Sequence, residues 1–190
     1  MSRHKTLASF WLFMAVAVQP MLAGATEIAN VTFPKHLQTP TVELGLRGVG
    51  ILRYLGLVNV YAGAFYLEEG ASIGEALADR AKRLEVEYFR SFKGADFGPA
   101  TLKMMEKNVG RETVARLREQ IDYHNSLYED VKPGDRYALT YIPGKGTELS
   151  FNGEPKGVIE GAEFASALFS IWIGKAPMDE TFKRQIMGLR

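Results

Sequence analysis

Arg53 is the only charged residue between Gly48 and Leu67, where its neighbours are apolar, aromatic, glycine or, once, asparagine. A guanidinium keeps its proton at ordinary pH, and an unpaired buried charge costs several kcal/mol. A buried Arg53 therefore needs a carboxylate, a set of carbonyls or an anionic ligand. Tyr61 follows eight residues later. On one straight strand the two would lie roughly 26 Å apart, too far to act together. A hairpin centred on Leu57, which Gly56 permits, places Arg53 directly opposite Tyr61 on one face, about 5 Å apart at Cβ. An arginine and a phenol converging inside an apolar surface could hold a carboxylate or a phenolate. The alternative is a structural arginine, paired with an acid such as Glu43 or snorkelling to the rim. The residues alone leave both open.

Two more polar side chains sit in apolar company. Asn108 shares a helical face with Phe97, Thr101, Met104 and Met105, and Ser166 lies in the apolar run Ala162–Ile173. Each could add a polar contact to a site. Equally, Asn108 could be a plain C-terminal residue beside Gly110, and a helical serine usually bonds back to a carbonyl. Other chemistries lack their residues. His36 and His124 have no companions at metal-ligand spacing, and the chain has no cysteine, so a zinc site is not expected. There is no G-x-S-x-G elbow. Gly45, Gly48 and Gly50 do not make a dinucleotide fingerprint, and Pro143–Thr147 is a hairpin turn rather than a phosphate loop. Glu85 and Glu87 read as a solvated strand face rather than a glycosidase pair.

The elements that must position Arg53 and Tyr61 follow from periodicity. Ile28–Phe33 reads as a strand, and Pro34 and Pro40 bracket a loop. Val42–Leu67 is rich in β-branched, aromatic and glycine residues, which suits strands buried on both faces. Ser72 with Glu75 makes a capping box and predicts a short helix over Ser72–Ala81. Arg83–Phe89 alternates Leu84, Val86 and Tyr88 inward. A helix follows with Phe97, Thr101, Met104, Met105 and Asn108 on one face and Gly110 at its end. A second carries Val114, Leu117, Ile121 and Tyr128. Tyr137, Leu139 and Tyr141 alternate as a strand after the Pro133-Gly134-Asp135 turn. Leu149–Phe151 and Pro155–Ile159 flank Asn152-Gly153, a strong two-residue hairpin signal. Ala162–Ile173 is apolar nearly all round, so it should be a buried helix. Pro177 and Asp179 open a last short helix to Met187. Strands, helices, strands, helices make an α+β pattern, an antiparallel sheet with helices packed against it.

The N-terminus carries Arg3 and Lys5, an apolar run from Leu7 to Val18, then Pro20 and Ala23-Gly24-Ala25. This is the pattern of a secretory signal peptide over Met1–Ala25, cleaved after Ala25. The apolar run is short for a membrane span, although an uncleaved anchor is the alternative. Cleavage would leave one domain, Thr26–Arg190, expected in the periplasm. The chain has 23 basic and 22 acidic residues, a net +1; without Arg3 and Lys5 the net is −1. That balance gives no electrostatic reason to bind nucleic acid or acidic membranes.

Two blocks of sequence resemble the chalcone isomerase-like family, in the form of its secreted bacterial branch. One is Gly48–Leu67, with Arg53 ahead of Val60-Tyr61-Ala62-Gly63-Ala64-Phe65-Tyr66-Leu67. The other runs from Phe151-Asn152-Gly153 through Gly157-Val158-Ile159-Glu160-Gly161 and Glu163-Phe164-Ala165 to Ile171-Trp172-Ile173-Gly174-Lys175-Ala176-Pro177. The resemblance covers roughly Val31 to Gly188. It implies an open-faced β-sandwich, a curved antiparallel sheet with a helical layer and a ligand cleft between them. In the plant enzymes an arginine after a Gly-x-Gly segment holds the anionic end of the substrate, and Arg53 matches it at a spacing one residue longer. Those enzymes carry a threonine where this chain has Tyr61. They also carry a helical tyrosine and asparagine two turns apart. Here Phe97 and Asn108 are the nearest candidates, and Phe97 has no hydroxyl. The arginine–tyrosine pairing is instead similar to that of the fatty-acid-binding, non-catalytic members.

The expected function is therefore that of a periplasmic binding protein for a small amphipathic anion such as a fatty acid. It would be a monomer needing no metal or other cofactor. Arg53 would hold the carboxylate and Tyr61 would hydrogen-bond it. Asn108 and Ser166 would add polar contacts, and Phe97 and Met104 would line the apolar part, where methionine adapts to variable chains. One alternative is a cofactor-free isomerase or lyase in which Arg53 stabilises an oxyanion. The other is an interaction protein with no ligand, in which Arg53 is structural.

Overall fold

A computed structural model describes residues 24–189. The signal peptide expected over Met1–Ala25 lies outside them except for its last two residues. The described chain opens with a small hairpin, β1 (Ala25–Ile28) and β2 (Val31–Pro34), which turns through Ala29 and Asn30, both at positive φ. The single strand expected over Ile28–Phe33 is thus two, because Asn30 tolerates the left-handed region that a tight turn needs. Cleavage after Ala25 would remove only the outermost rung of this hairpin, Ala25 with Pro34.

Seven strands then form one antiparallel sheet in sequence order: β3 (His36–Gln38), β4 (Glu43–Tyr54), β5 (Val58–Glu68), β6 (Lys82–Tyr88), β7 (Arg136–Ile142), β8 (Gly146–Phe151) and β9 (Glu154–Ile159). The centre of β5 is buried on both faces, as its composition predicts. Phe65 and Leu67 point into the main core beneath the helices, while Ala62, Ala64 and Tyr66 join Val31, Phe33 and Leu44 in a smaller core. The Asn152-Gly153 turn joins β8 to β9 with φ of 50° and 86°.

Helices cover one face: α1 (Gly94–Val109), α2 (Arg111–Arg116), α3 (Arg118–Ser126), α4 (Ala162–Ile173) and α5 (Glu180–Ile186). This is the expected α+β open-faced sandwich, a curved sheet with a helical layer. The one helix expected from Val114 to Tyr128 breaks at Leu117, whose ψ of 10° leaves the helical region. The helix expected over Ser72–Ala81 shrinks to a single 3₁₀ turn at Ile73–Glu75. The capping box does form, with the Ser72 N–H and hydroxyl both donating to Glu75. A helix this short is marginal without a packed apolar face, and no residue of the turn is buried. α4 is buried along most of its length. α5 starts at Asp179, whose carboxylate accepts from the Phe182 N–H at 2.6 Å, and docks on β4. There the Ile51 N–H donates to the Gln185 side chain, and a Cβ on Gly48 would overlap the Gln185 carbonyl oxygen.

Candidate functional site

A cavity of about 190 Å³ lies between the sheet and α1 and α4. Leu52 of β4, Tyr61 of β5 and Tyr88 of β6 form its floor, Phe97 and Thr101 of α1 one wall, and Tyr128, Trp172 and Met178 the rest. The aromatic rings meet edge to face, Tyr61 against Tyr88 at 5.6 Å and against Phe182 at 5.4 Å between centroids. Phe97 stacks on Tyr128 at 4.6 Å. Edge-to-face contacts set rigid walls, since ring quadrupoles prefer that geometry.

Few polar atoms reach the cavity, and the central pair is Trp172 with Tyr61. The Trp172 indole N–H donates to the Tyr61 hydroxyl at 2.9 Å. The Tyr61 proton faces only the Met178 sulfur, at 3.9 Å, which is a weak acceptor. Tyr61 can therefore turn its proton to a ligand, and the bond it accepts from Trp172 makes it a better donor. Burial pushes the phenols of Tyr61, Tyr88 and Tyr128 above the ordinary tyrosine value. All three are neutral donors at physiological pH, not bases.

The cavity opens past Leu52, Val60, Phe92 and Met178 into a groove of about 570 Å³. Arg53, Arg90 and Asp179 stand on that groove. Asp179 is engaged as the cap of α5. The Arg53 Nε donates to Asn59 Oδ1 at 3.1 Å. Among the described residues neither arginine forms an ion pair, so the mouth keeps positive charge available to an anion.

The hairpin places Arg53 differently from the expectation. The turn centres on Gly56 rather than Leu57, and a bulge at Val60 shifts the register between Leu52 and Arg53. Leu52 faces Tyr61, and Arg53 faces Asn59. Successive residues point to opposite faces, so this slip takes Arg53 off the face of Tyr61 and out to the rim. Glu43 does not pair with it either. That carboxylate meets His36 at 3.2 Å, near the far end of β4.

The other expected site residues separate into two groups. Phe97 lines the cavity with Tyr61. Met104 belongs to the main core and is not among the cavity walls. Ser166 is half-buried on α4 and does not line the cavity. Asn108 is buried but fully used within the protein. Its amide nitrogen donates to the carbonyls of Met104 and Ala176, and its oxygen accepts from the Ala176 N–H, each at 2.9 Å. It ties the end of α1 to the segment after α4 and has no N–H left to donate to a ligand. Trp172, Met178 and Arg90 also stand at the site, outside the residues that the sequence singles out. A tryptophan inside a largely apolar helix is the one available signal, because an indole N–H taken out of water must find an acceptor. Arg90 and Met178 carried none. Among the described residues no cluster of three metal-ligating side chains occurs, and no helix is long and apolar enough to cross a membrane.

Residues 25–188 match the sequence profile described as chalcone isomerase-like. Among similar solved structures is a fatty-acid binding protein of Arabidopsis thaliana, with a TM-score of 0.68 and 16% sequence identity. The match covers 86% of this chain and 96% of that one. At that identity the likeness establishes the fold. No curated protein matches the sequence.

Proposed function

The chain belongs to the chalcone isomerase-like family, and we propose that within it this protein is a non-catalytic binder of fatty acids or similar amphipathic anions, acting in the periplasm. The observation that carries the reading is the arrangement of the cleft: an apolar, aromatic-walled cavity whose open end alone bears unpaired arginines, Arg53 and Arg90. An acyl chain enters the cavity and its carboxylate stays at the mouth, within reach of a guanidinium. Inside, Tyr61 offers a single neutral O–H to whatever polar atom passes it. The fatty-acid binding protein of the same fold lends the ligand class its support. The buried tyrosines do not offer a base, and both N–H donors of Asn108 are engaged by the Met104 and Ala176 carbonyls.

The test begins with the protein recovered from a periplasmic fraction, with Thr26 as the expected first residue. Organic extraction and mass spectrometry should find a stoichiometric acidic lipid in the parent. Arg53→Ala should weaken binding of a sixteen-carbon fatty acid by about tenfold, since a hydrogen bond to a charged group contributes about 1.5–3 kcal/mol and 1.4 kcal/mol is a factor of ten. A variant that binds as tightly as the parent would remove Arg53 from the site.

A further inference from the structure

The tip of the β4–β5 hairpin stands beside the cavity mouth, and its residues are unusual for a water-exposed turn. Tyr54, Leu55, Leu57 and Val58 are all exposed, Leu55 by 78% and Leu57 by 85%. Arg53, Tyr54 and Leu55 line the groove together with Arg90 and Met178, which is also exposed. Apolar side chains therefore project from a rim that carries two arginines which form no ion pair among the described residues, beside one carboxylate, Asp179, that caps α5.

The backbone adds a second, independent observation. The Leu57 N–H donates to the Tyr54 carbonyl, and the two residues between them, Leu55 and Gly56, have φ of 49° and 71°. Positive φ at both central positions is the pattern of a type I′ turn, which favours Asn-Gly. This same chain uses Asn-Gly at the corresponding turn of the β8–β9 hairpin, with φ of 50° and 86°. At the β4–β5 tip a leucine holds the left-handed position instead. That choice is unfavourable for the backbone and unfavourable for hydration, and the leucine makes no core contact in return. Strain of this kind, kept at a site without benefit to folding, points to a role outside the folded chain.

We propose that this tip is a membrane-docking device, which inserts Leu55 and Leu57 into the surface of a lipid bilayer while Arg53 and Arg90 meet anionic headgroups. The combination of a few exposed apolar side chains with flanking cations is what binds the headgroup–acyl boundary. The balanced charge of the chain as a whole does not oppose this, because the attraction is local to the rim. Docking sets the mouth of the cavity against the bilayer, so that an acyl chain can pass between them without crossing water. The purpose of the device rests on the fatty-acid reading above; the docking itself can be measured without it.

The experiment is flotation of the protein with vesicles of phosphatidylcholine and phosphatidylglycerol, in parallel with binding of a soluble fluorescent fatty acid in the absence of vesicles. The parent should float with the vesicles, more weakly when phosphatidylglycerol is omitted or salt is raised. Leu57→Ser/Val58→Thr, at exposed tip residues that do not line the groove, should reduce vesicle partition by about tenfold and leave the soluble fatty acid bound as before. A parent that ignores both vesicle types overturns the proposal. So does a variant that floats as well as the parent. A parent that ignores vesicles but dimerises through this tip overturns it in favour of a second copy of the chain. Loss of soluble fatty-acid binding in the parent, with vesicle flotation intact, would instead overturn the ligand reading and leave the docking standing.

Discussion

Replacing Asn108 by alanine separates a structural amide from a ligand-binding one. In the parent, Asn108 makes two long-range bonds to Ala176, one as donor and one as acceptor, both 2.9 Å. Together they hold the end of α1 to the chain leaving α4. Gly174 allows this approach, since a Cβ there would overlap Asn108 Oδ1. Alanine removes both bonds and leaves the Ala176 N–H and carbonyl without partners in a partly buried setting. Each net hydrogen bond contributes about 1 kcal/mol, and each stranded group adds part of its desolvation cost. A loss of about 3 kcal/mol is expected, equivalent to about 6–12 °C in Tm for a domain of this size. Thermal unfolding followed by circular dichroism gives the stability, and fatty-acid titration well below the transition gives the affinity. The expected result is a lowered Tm with unchanged affinity. An unchanged Tm would refute the tether, and a large drop in affinity at unchanged stability would return Asn108 to the site.

Two other perturbations test the packing. Gly48→Ala should destabilise the domain by at least about 2 kcal/mol, because the new methyl meets the backbone carbonyls of Gln185 and Ile186, which cannot rotate away; urea unfolding at parental stability would show that α5 does not sit on β4 as described. His124 is fully buried against Tyr128 and Phe164, and burial pushes its pKa down to about 4. The unfolded chain takes up this proton near pH 6.5 and the folded one does not, so stability present above that pH is lost as pH falls toward 4. The loss should reach about 2 kcal/mol by pH 5. His124→Gln should flatten this part of the profile, and parallel profiles for parent and variant would remove His124 as its source.

Much of the fold was legible because its signals are local. The Asn152-Gly153 turn, the apolar α4, the Asp179 cap of α5 and the doubly buried β5 each declare themselves within a dozen residues. The errors have one origin as well. The Ser72–Ala81 segment carries a good cap, but whether a cap becomes a helix depends on packing, and here Ile73, Ala76 and Leu77 reach the core from a run of turns rather than from one helical face. Leu117, where the second helix breaks, is buried in the main core. Arg53 and Tyr61 were rightly placed on two strands of one hairpin, but the bulge at Val60 moved one of them to the other face. A shift of one residue reverses every side chain beyond it, and composition does not encode where a bulge falls.

The sequence by itself therefore determined the order of elements, the antiparallel α+β architecture and the family, since these rest on periodicity and on motifs read in a row. Only the tertiary structure decided which residues face the ligand cleft. Its walls come from β4, β5, β6, α1 and α4, and the hydrogen bond at its heart joins Tyr61 to Trp172, 111 residues apart. The role of Asn108 was decided in the same way, by a backbone segment 68 residues distant. Local energetics select helices and strands, but a cavity is made by the gaps between them, and those depend on how whole elements pack.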